Sequence, residues 1–256
     1  QIYLTNTLEP GEAQSTFPFL SEIKNEIKTA NQIKTEKQVL VVMGNPPYSG
    51  TSSNKGKWID DLLKKGYTRP DGSVDNGYYT IDGKPLNEKN PKWLQDDYVK
   101  FLRFAQWKID QNGEGVVGYI TNHSYLDNPT FRGMRQSLLQ SFDRIYILNL
   151  HGNSLKKEKC PDGSKDENVF DIKQGVAIGI FIKNKKFREK KVYYADLWGS
   201  REEKYAWLDR HTIENVEWQE IEPTSPYYFF VPKETVLEKE NSLWRVTDIF
   251  RVSSVG

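Results

Sequence analysis

A single cysteine, Cys160, stands among the 256 residues. No disulfide can form within the chain, and a cysteine-rich zinc site is excluded; a reducing cytosol is the matching compartment. Histidine is almost as scarce, at three, and no His/Asp/Glu cluster has metal-ligand spacing, so no metal is expected. No apolar run approaches the ~20 residues that cross a bilayer, and no signal peptide is visible. The expectation is a soluble cytoplasmic protein with no membrane partner. Net charge is only +1, which denies the chain a global basic footprint. Contact with nucleic acid must then rest on local patches or on parts of a longer protein. A GKS/T phosphate loop and a nuclease carboxylate–lysine constellation are both missing, so helicase and nuclease chemistry are not expected here.

Aromatic residues are plentiful: 7 Trp, 14 Tyr and 12 Phe within a 37% hydrophobic fraction, ample for a core. The stretch with the most chemistry is Asn45-Pro46-Pro47-Tyr48, which follows the apolar run 39–43 and Gly44. That run reads as a buried strand ending in a turn. The exocyclic amine of adenine is a poor nucleophile because its lone pair is delocalised into the ring. Two acceptors placed on its N–H bonds draw the nitrogen toward a pyramidal, nucleophilic shape. The Asn45 side-chain oxygen and the Pro46 carbonyl are two such acceptors. Pro46 and Pro47 bias the residues before them toward extended backbone, which fixes both acceptors in advance. Tyr48 offers a face on which a base drawn out of its duplex can stack.

Alternating periodicities organise the rest. A strand is expected at 2–5, a helix carrying Ile23, Ile27, Ala30 and Ile33 behind a Ser21 cap, and a strand at 39–43. Residues 49–91 form a long polar insertion with a short helix at 58–65 and a hairpin near Tyr78–Ile81, marked by the turn signals Asp71-Gly72 and Asp82-Gly83. Leu94, Tyr98, Phe101, Leu102, Ala105 and Ile109 share one face, which predicts a helix over 94–110. A strand at 116–121, a helix at 129–142 behind Asn128-Pro129, and a strand at 145–150 follow. Residues 175–182 and 192–197 are expected to close the sheet as a hairpin. The alternation argues for an α/β fold with a mainly parallel sheet. From 201 onward the composition shifts to interleaved aromatics and charges, including Trp207, Trp218, Tyr227, Phe230 and Trp244. This segment reads either as the start of a linker to a target-recognition region or as an arm packed on the sheet.

Asn45–Tyr48 resembles the catalytic motif IV of S-adenosylmethionine-dependent amino methyltransferases, chiefly the DNA adenine-N6 type. Further segments carry the same likeness. Ile2–Leu8 looks like the preceding strand and motif III, with Asn6 where many members have Asp; Gly118–Leu126 and Phe131–Leu138 are similar to motif VI and its helix. Arg144–Gly152 looks like motif VII and Asn168–Val176 resembles motif VIII. The wording is most similar to the methyltransferase part of large single-polypeptide restriction-modification enzymes described as helicase/methylase proteins, over about residues 1–200. The resemblance implies a partial Rossmann-like methyltransferase fold whose first strands are not in this chain, with DNA and the remaining domains of a parent polypeptide as partners. It implies methyl transfer to the N6 of a flipped adenine, with Asn45, Pro46, Pro47 and Tyr48 catalytic, Phe170 against the base and Asn6 on the cofactor. Tyr125 is a further candidate for the base pocket. The donor loop of such a fold has no counterpart here, so little or no S-adenosylmethionine binding by the chain alone is expected. Glycines 113, 115 and 118 match a dinucleotide fingerprint, but a helix precedes them and a strand follows, the reverse of what that site needs. Related methyltransferases acting on RNA or on protein glutamine share the tetrad, and a catalytically silent DNA-binding module is the alternative from another class. The basic runs Lys183–Lys191 and Lys156–Lys159 are candidate phosphate contacts.

Overall fold

The computed structural model describes residues 6–9, 28–34, 36–48, 50 and 52–232. The strand expected at 2–5, the start of the helix carrying Ile23 and Ile27, and Trp244 lie outside the described residues. Six strands form one mixed sheet in the order β1-β2-β4-β3-β5-β6. They are β1 (Val41–Gly44), β2 (Gly115–Asn122), β3 (Arg144–His151), β4 (Val176–Lys183), β5 (Lys191–Asp196) and β6 (Gln219–Ile221). β1 runs parallel to β2, with Val41 opposite Val116 and Gly44 opposite Tyr119. β3 runs parallel to β5. β4 lies antiparallel between β2 and β3, and β6 is antiparallel to β5. β1, β2, β3 and β5 therefore point one way, which places the carboxyl ends of β2, β3 and β5 on the same sheet edge as the Asn45 turn.

The strands expected to pair as a closing hairpin do not touch as partners. β4 inserts between β2 and β3 over its full length, and β5 takes the free edge of β3 instead. The reason is burial. Val176, Ala177 and Phe181 are fully covered, which an outer hairpin strand would not achieve. Such central strands read as continuous apolar runs, and the run alone does not say which neighbours it takes.

Helices α1 (Lys57–Lys64), α2 (Asp97–Asn112), α3 (Arg132–Ser141) and α4 (Arg201–Leu208) complete the frame. On one face of the sheet, Tyr98, Leu102, Ala105 and Ile109 of α2 and Met134 and Leu138 of α3 pack on Val117, Ile145, Ile147 and Phe181. The opposite face gathers Leu148, Leu150, Val169 and Val176, with Trp207 and Trp218 against them. The segment predicted as one helix over 94–110 splits at Asp96, whose extended backbone separates a short 3-10 turn, Pro91–Gln95, from α2. Gly113 ends α2 in the left-handed conformation, φ 81°, and β2 starts two residues on. That confirms the reading of these glycines as punctuation.

The polar insertion is a clamp on α2. Within it, Tyr67–Thr68 pairs with Val74–Asp75, and Thr80–Ile81 with Lys84–Pro85 around the left-handed pair Asp82 and Gly83, as a tight primed turn requires. Its Asp75 is fully buried and receives Arg103 of α2, Arg69 and the Ser137 hydroxyl of α3. Gly133 of α3 touches the same insertion: a Cβ there would sit 2.4 Å from the Tyr78 carbonyl oxygen. Gly133→Ala is expected to cost about 1–3 kcal/mol by overpacking, read as a lower urea midpoint at unchanged slope. An unchanged midpoint would show that the insertion yields.

The described residues 201–232 pack against this body. Ser200 caps α4 through a reciprocal capping box with Glu203, β6 extends the sheet, and Phe230 and Val231 enter the main core. Among the described residues no helix is long and apolar enough to cross a membrane.

Candidate active site

The Asn45–Tyr48 turn leaves the carboxyl end of β1 at the edge where β2 and β3 also end, the position where open α/β sheets place ligands. Pro46 is buried, Asn45 and Pro47 are exposed, and Tyr48 is half-buried. The ladder between β1 and β2 carries the chain straight to Gly44, and the two prolines then hold it extended. Among the described residues no side chain or backbone group engages the Asn45 carboxamide or the Pro46 carbonyl. Asn45 and Pro46 both line the cleft described below. Tyr48 is fixed from its far end, where its hydroxyl donates to the Ile120 carbonyl of β2 at 3.2 Å. Burial pushes its phenol well above the ordinary range, so it stays neutral and serves as a ring and a donor.

Phe170 faces Tyr48 with ring centroids 5.8 Å apart and planes tilted by 54°. A base sandwiched between two rings needs about 6.8 Å, twice the ~3.4 Å stacking rise. The pair is therefore closed, and a base enters only if the Phe170 loop gives way. That loop is pinned at several points. Asn168 donates to the Gly152 and Gln174 carbonyls and accepts from the Phe170 amide. Arg201 of α4 donates to the Asn168 and Phe170 carbonyls, and the Tyr205 hydroxyl reaches the Val169 carbonyl. Lys204, fully buried, pairs with Asp166 at 2.6 Å and donates to the Leu150 and Glu167 carbonyls. These α4 residues position Phe170, and sequence reasoning assigned none of them. Their signal was the Ser200–Glu203 capping box, a helix start in a segment read for its aromatics.

The other sequence candidates fall in different places. Tyr125, 1% exposed, packs against Tyr98 and Phe230 in the main core, whereas Tyr48 and Phe170 share the cluster on the opposite face. Asn6 accepts the Leu8 amide in a local turn and touches Asn54 at 3.3 Å. Lys183 starts the basic run at the sheet edge opposite the Asn45 turn, opposite Gly115, and is paired with Asp110. Lys156, Lys157 and Lys159 are exposed in the loop after β3, on the edge that carries the turn. Beside Asn45 lies an apolar cleft of about 540 Å³, lined by Thr7, Val41, Met43, Pro46, Phe101 and Tyr119 among others. Its outer wall is β1, which is not the buried strand expected from the apolar run but the last strand of the described sheet, with Val41 and Met43 59% and 79% exposed.

No family model matches the chain, and no curated protein does. Solved structures do. The ATP-dependent Type ISP restriction-modification enzyme LlaBIII bound to DNA is 28% identical, with a TM-score of 0.68, over 89% of this chain and 15% of that one. A DrdV–DNA complex is 27% identical, with a TM-score of 0.65, over 88% and 21%. A nuclease-deletion mutant of the Type ISP enzyme LlaGI with a DNA substrate mimic shares the fold at 24% identity and a TM-score of 0.67, over 89% and 21%. The chain thus spans about a fifth or less of the length of each of these three proteins, and resembles a segment of restriction-modification enzymes.

Proposed function

We propose that this chain supplies the acceptor half of a DNA adenine-N6 methyltransferase site within a larger restriction-modification polypeptide. The observation that carries this reading is the Asn45–Tyr48 turn, with two acceptors at the end of β1 that no described group engages and a neutral tyrosine ring closed against Phe170. An amine laid against Asn45 Oδ1 and the Pro46 carbonyl has both N–H bonds engaged, so its lone pair projects away from the turn. The rigid Pro-Pro backbone supplies this arrangement without reorganisation as the transition state forms. The released proton can leave to water, and no side chain here has to act as a base.

S-adenosylmethionine, when bound, supplies a methyl group activated on a sulfonium. The cleft beside Asn45 has the apolar lining and the volume of a small-molecule site. We assign Asn6 to the edge of the cofactor's adenine. The chain alone is expected to hold the donor weakly, because its residues 1–40 contain a single glycine, Gly11, and so no glycine-rich loop to grip the donor's charged end. The similarity to DNA-bound restriction-modification enzymes supports DNA as the substrate class.

The test is methyl transfer from labelled S-adenosylmethionine by an enzyme containing this chain. Label at adenine N6 of duplex DNA supports the reading; label on RNA or on protein glutamine, or no label at all, overturns it. Tyr48 gives a second measurement. Tyr48→Ala removes base stacking worth about 1–3 kcal/mol and should lower kcat/KM by roughly tenfold to a hundredfold. Tyr48→Phe keeps the ring and loses only the bond to Ile120, so its activity should stay near wild type. Equal losses in both variants would mean that the hydroxyl, not the ring, carries the role.

A further inference from the structure

The same sheet edge holds a cluster with no part in methyl transfer. His123 follows the end of β2, His151 ends β3, and Glu158 lies in the loop beyond. One ligating atom from each converges to within 4.8 Å of the others, the group of this kind among the described residues. Their separations in sequence, 28 and 7 residues, follow no metal-binding pattern, which is why spacing does not disclose them. The sheet brings them together. A bulge between Asn149 and His151 shifts the register, and His151 takes a left-handed backbone, φ 52°. Bulges re-aim side chains in this manner.

Both imidazoles are held in a defined tautomer. Asn149 Oδ1 accepts the His151 backbone amide, so it is the oxygen that faces His123 Nδ1 at 3.1 Å. His123 Nδ1 therefore carries the hydrogen, and its lone pair is on Nε2, which receives the Asn153 amide at 3.2 Å. His151 Nε2 donates to Asp196 Oδ1 at 2.5 Å, and the Tyr194 hydroxyl donates to the same oxygen. That leaves the His151 lone pair on Nδ1. This atom is buried and has no hydrogen-bond partner, in a residue only 6% exposed, and it points at Glu158 Oε2 3.9 Å away. Trp198 stacked on its face at 3.3 Å stops the ring from turning elsewhere. His123 is seated against Gly175, where a Cβ would lie 2.4 Å from the ring.

We infer that His123 Nε2, His151 Nδ1 and Glu158 form a binding site for a divalent transition ion of the zinc class. Two lone-pair nitrogens and a carboxylate are the donor set such an ion takes with three protein ligands and a fourth open position. Each histidine gives its other ring N–H to an acceptor, Asn149 Oδ1 for His123 and Asp196 Oδ1 for His151, the arrangement that fixes metal-ligating imidazoles. Binding closes the ligand atoms to about 3.3 Å, the edge of a tetrahedron with ~2.05 Å bonds, displaces the Asn153 amide from His123, and gives the orphaned nitrogen of His151 a partner. The ion would tie the ends of β2 and β3 to the loop 152–159. Gly152, next to His151, accepts from Asn168 at the root of the Phe170 loop, so the ion would also stiffen the base-flanking side of the proposed active site. The inference stands on the cluster itself and holds whatever the substrate proves to be.

The experiment is zinc binding by the full chain, stripped with chelator and re-equilibrated with Zn²⁺ or Co²⁺. One ion per chain is expected, with the visible absorption of tetrahedral Co²⁺, a higher thermal midpoint with metal, and slower amide exchange over residues 152–174. Glu158→Gln is nearly isosteric at a side chain that is 19% exposed, so it should fold normally and bind at least about tenfold more weakly; His151→Gln should also bind more weakly. His211→Gln, outside the cluster, should bind like wild type. Substoichiometric metal in the wild type, or binding that Glu158→Gln and His151→Gln leave unchanged, overturns the site and leaves a hydrogen-bonded latch.

Discussion

Asn45→Ala is expected to slow methyl transfer by about a hundredfold to a thousandfold, the loss typical when one preorganised hydrogen-bonding group of a reacting centre is removed. The loss should fall on kcat, because the Asn45 acceptor matters most as the amine pyramidalises, and base binding retains the Tyr48 ring. Folding should be nearly unaffected. Asn45 is exposed and engages no other group of the described residues, and such positions usually change stability by less than about 0.5 kcal/mol. Asn45→Asp separates two ideas. It keeps an acceptor and adds charge, so a partly active Asp variant with a silent Ala variant supports lone-pair localisation. Single-turnover transfer at the wild-type rate by Asn45→Ala would sink the mechanism.

The largest stability effect is expected at Asp75. Its carboxylate, fully buried, satisfies Arg69, fully buried Arg103, the Ser137 hydroxyl and the Gly77 amide. Asp75→Ala leaves the Arg103 guanidinium buried without its carboxylate, a loss of about 3–5 kcal/mol. The polar insertion should detach from α2 and α3, visible as protease sensitivity over residues 66–86. A urea-unfolding loss under about 1 kcal/mol would mean that the cations find new partners. The same network sets an acid limit. Burial raises the Asp75 pKa, but the Arg103 charge and its hydrogen bonds outweigh that and hold it below the ordinary carboxylate range. For Asp110 burial likewise raises the value, and Lys183 and Arg69 outweigh it. A depressed folded pKa contributes stability that is complete above the unfolded value of about 3.9 and is lost as pH falls through the folded one. Stability should therefore drop steeply below about pH 4, and less steeply in Asp75→Ala, which has already lost one such group.

Much of this was legible in the one-dimensional pattern. The stripe from Tyr98 to Ile109 marked α2 because only one helical face of those residues is apolar, and Gly113 marked its end because a left-handed residue there needs no Cβ. The Asp82-Gly83 turn was readable for the same reason. The neighbours of β4 were not legible. Val176–Lys183 is apolar on both faces, and a strand that is buried on both sides carries no mark of its partners. Nor does the apolar stripe of α2 disclose what its charges do: Lys100, Arg103 and Asp110 lie off that stripe, yet the insertion covers them and supplies partners for each.

The sequence by itself determined the acceptor pair and the aromatic ring of the Asn45–Tyr48 turn, because those depend on adjacent residues and on proline geometry, which are local. Only the tertiary structure decided what stands around that turn: Phe170 closing on Tyr48 under the grip of α4, Tyr125 withdrawn into the core, and two histidines and a glutamate meeting where three chain segments end. The reason is physical. Such contacts follow from strand order and from which surfaces bury one another, and those are settled by the free energy of the whole sheet rather than by any stretch of chain along it.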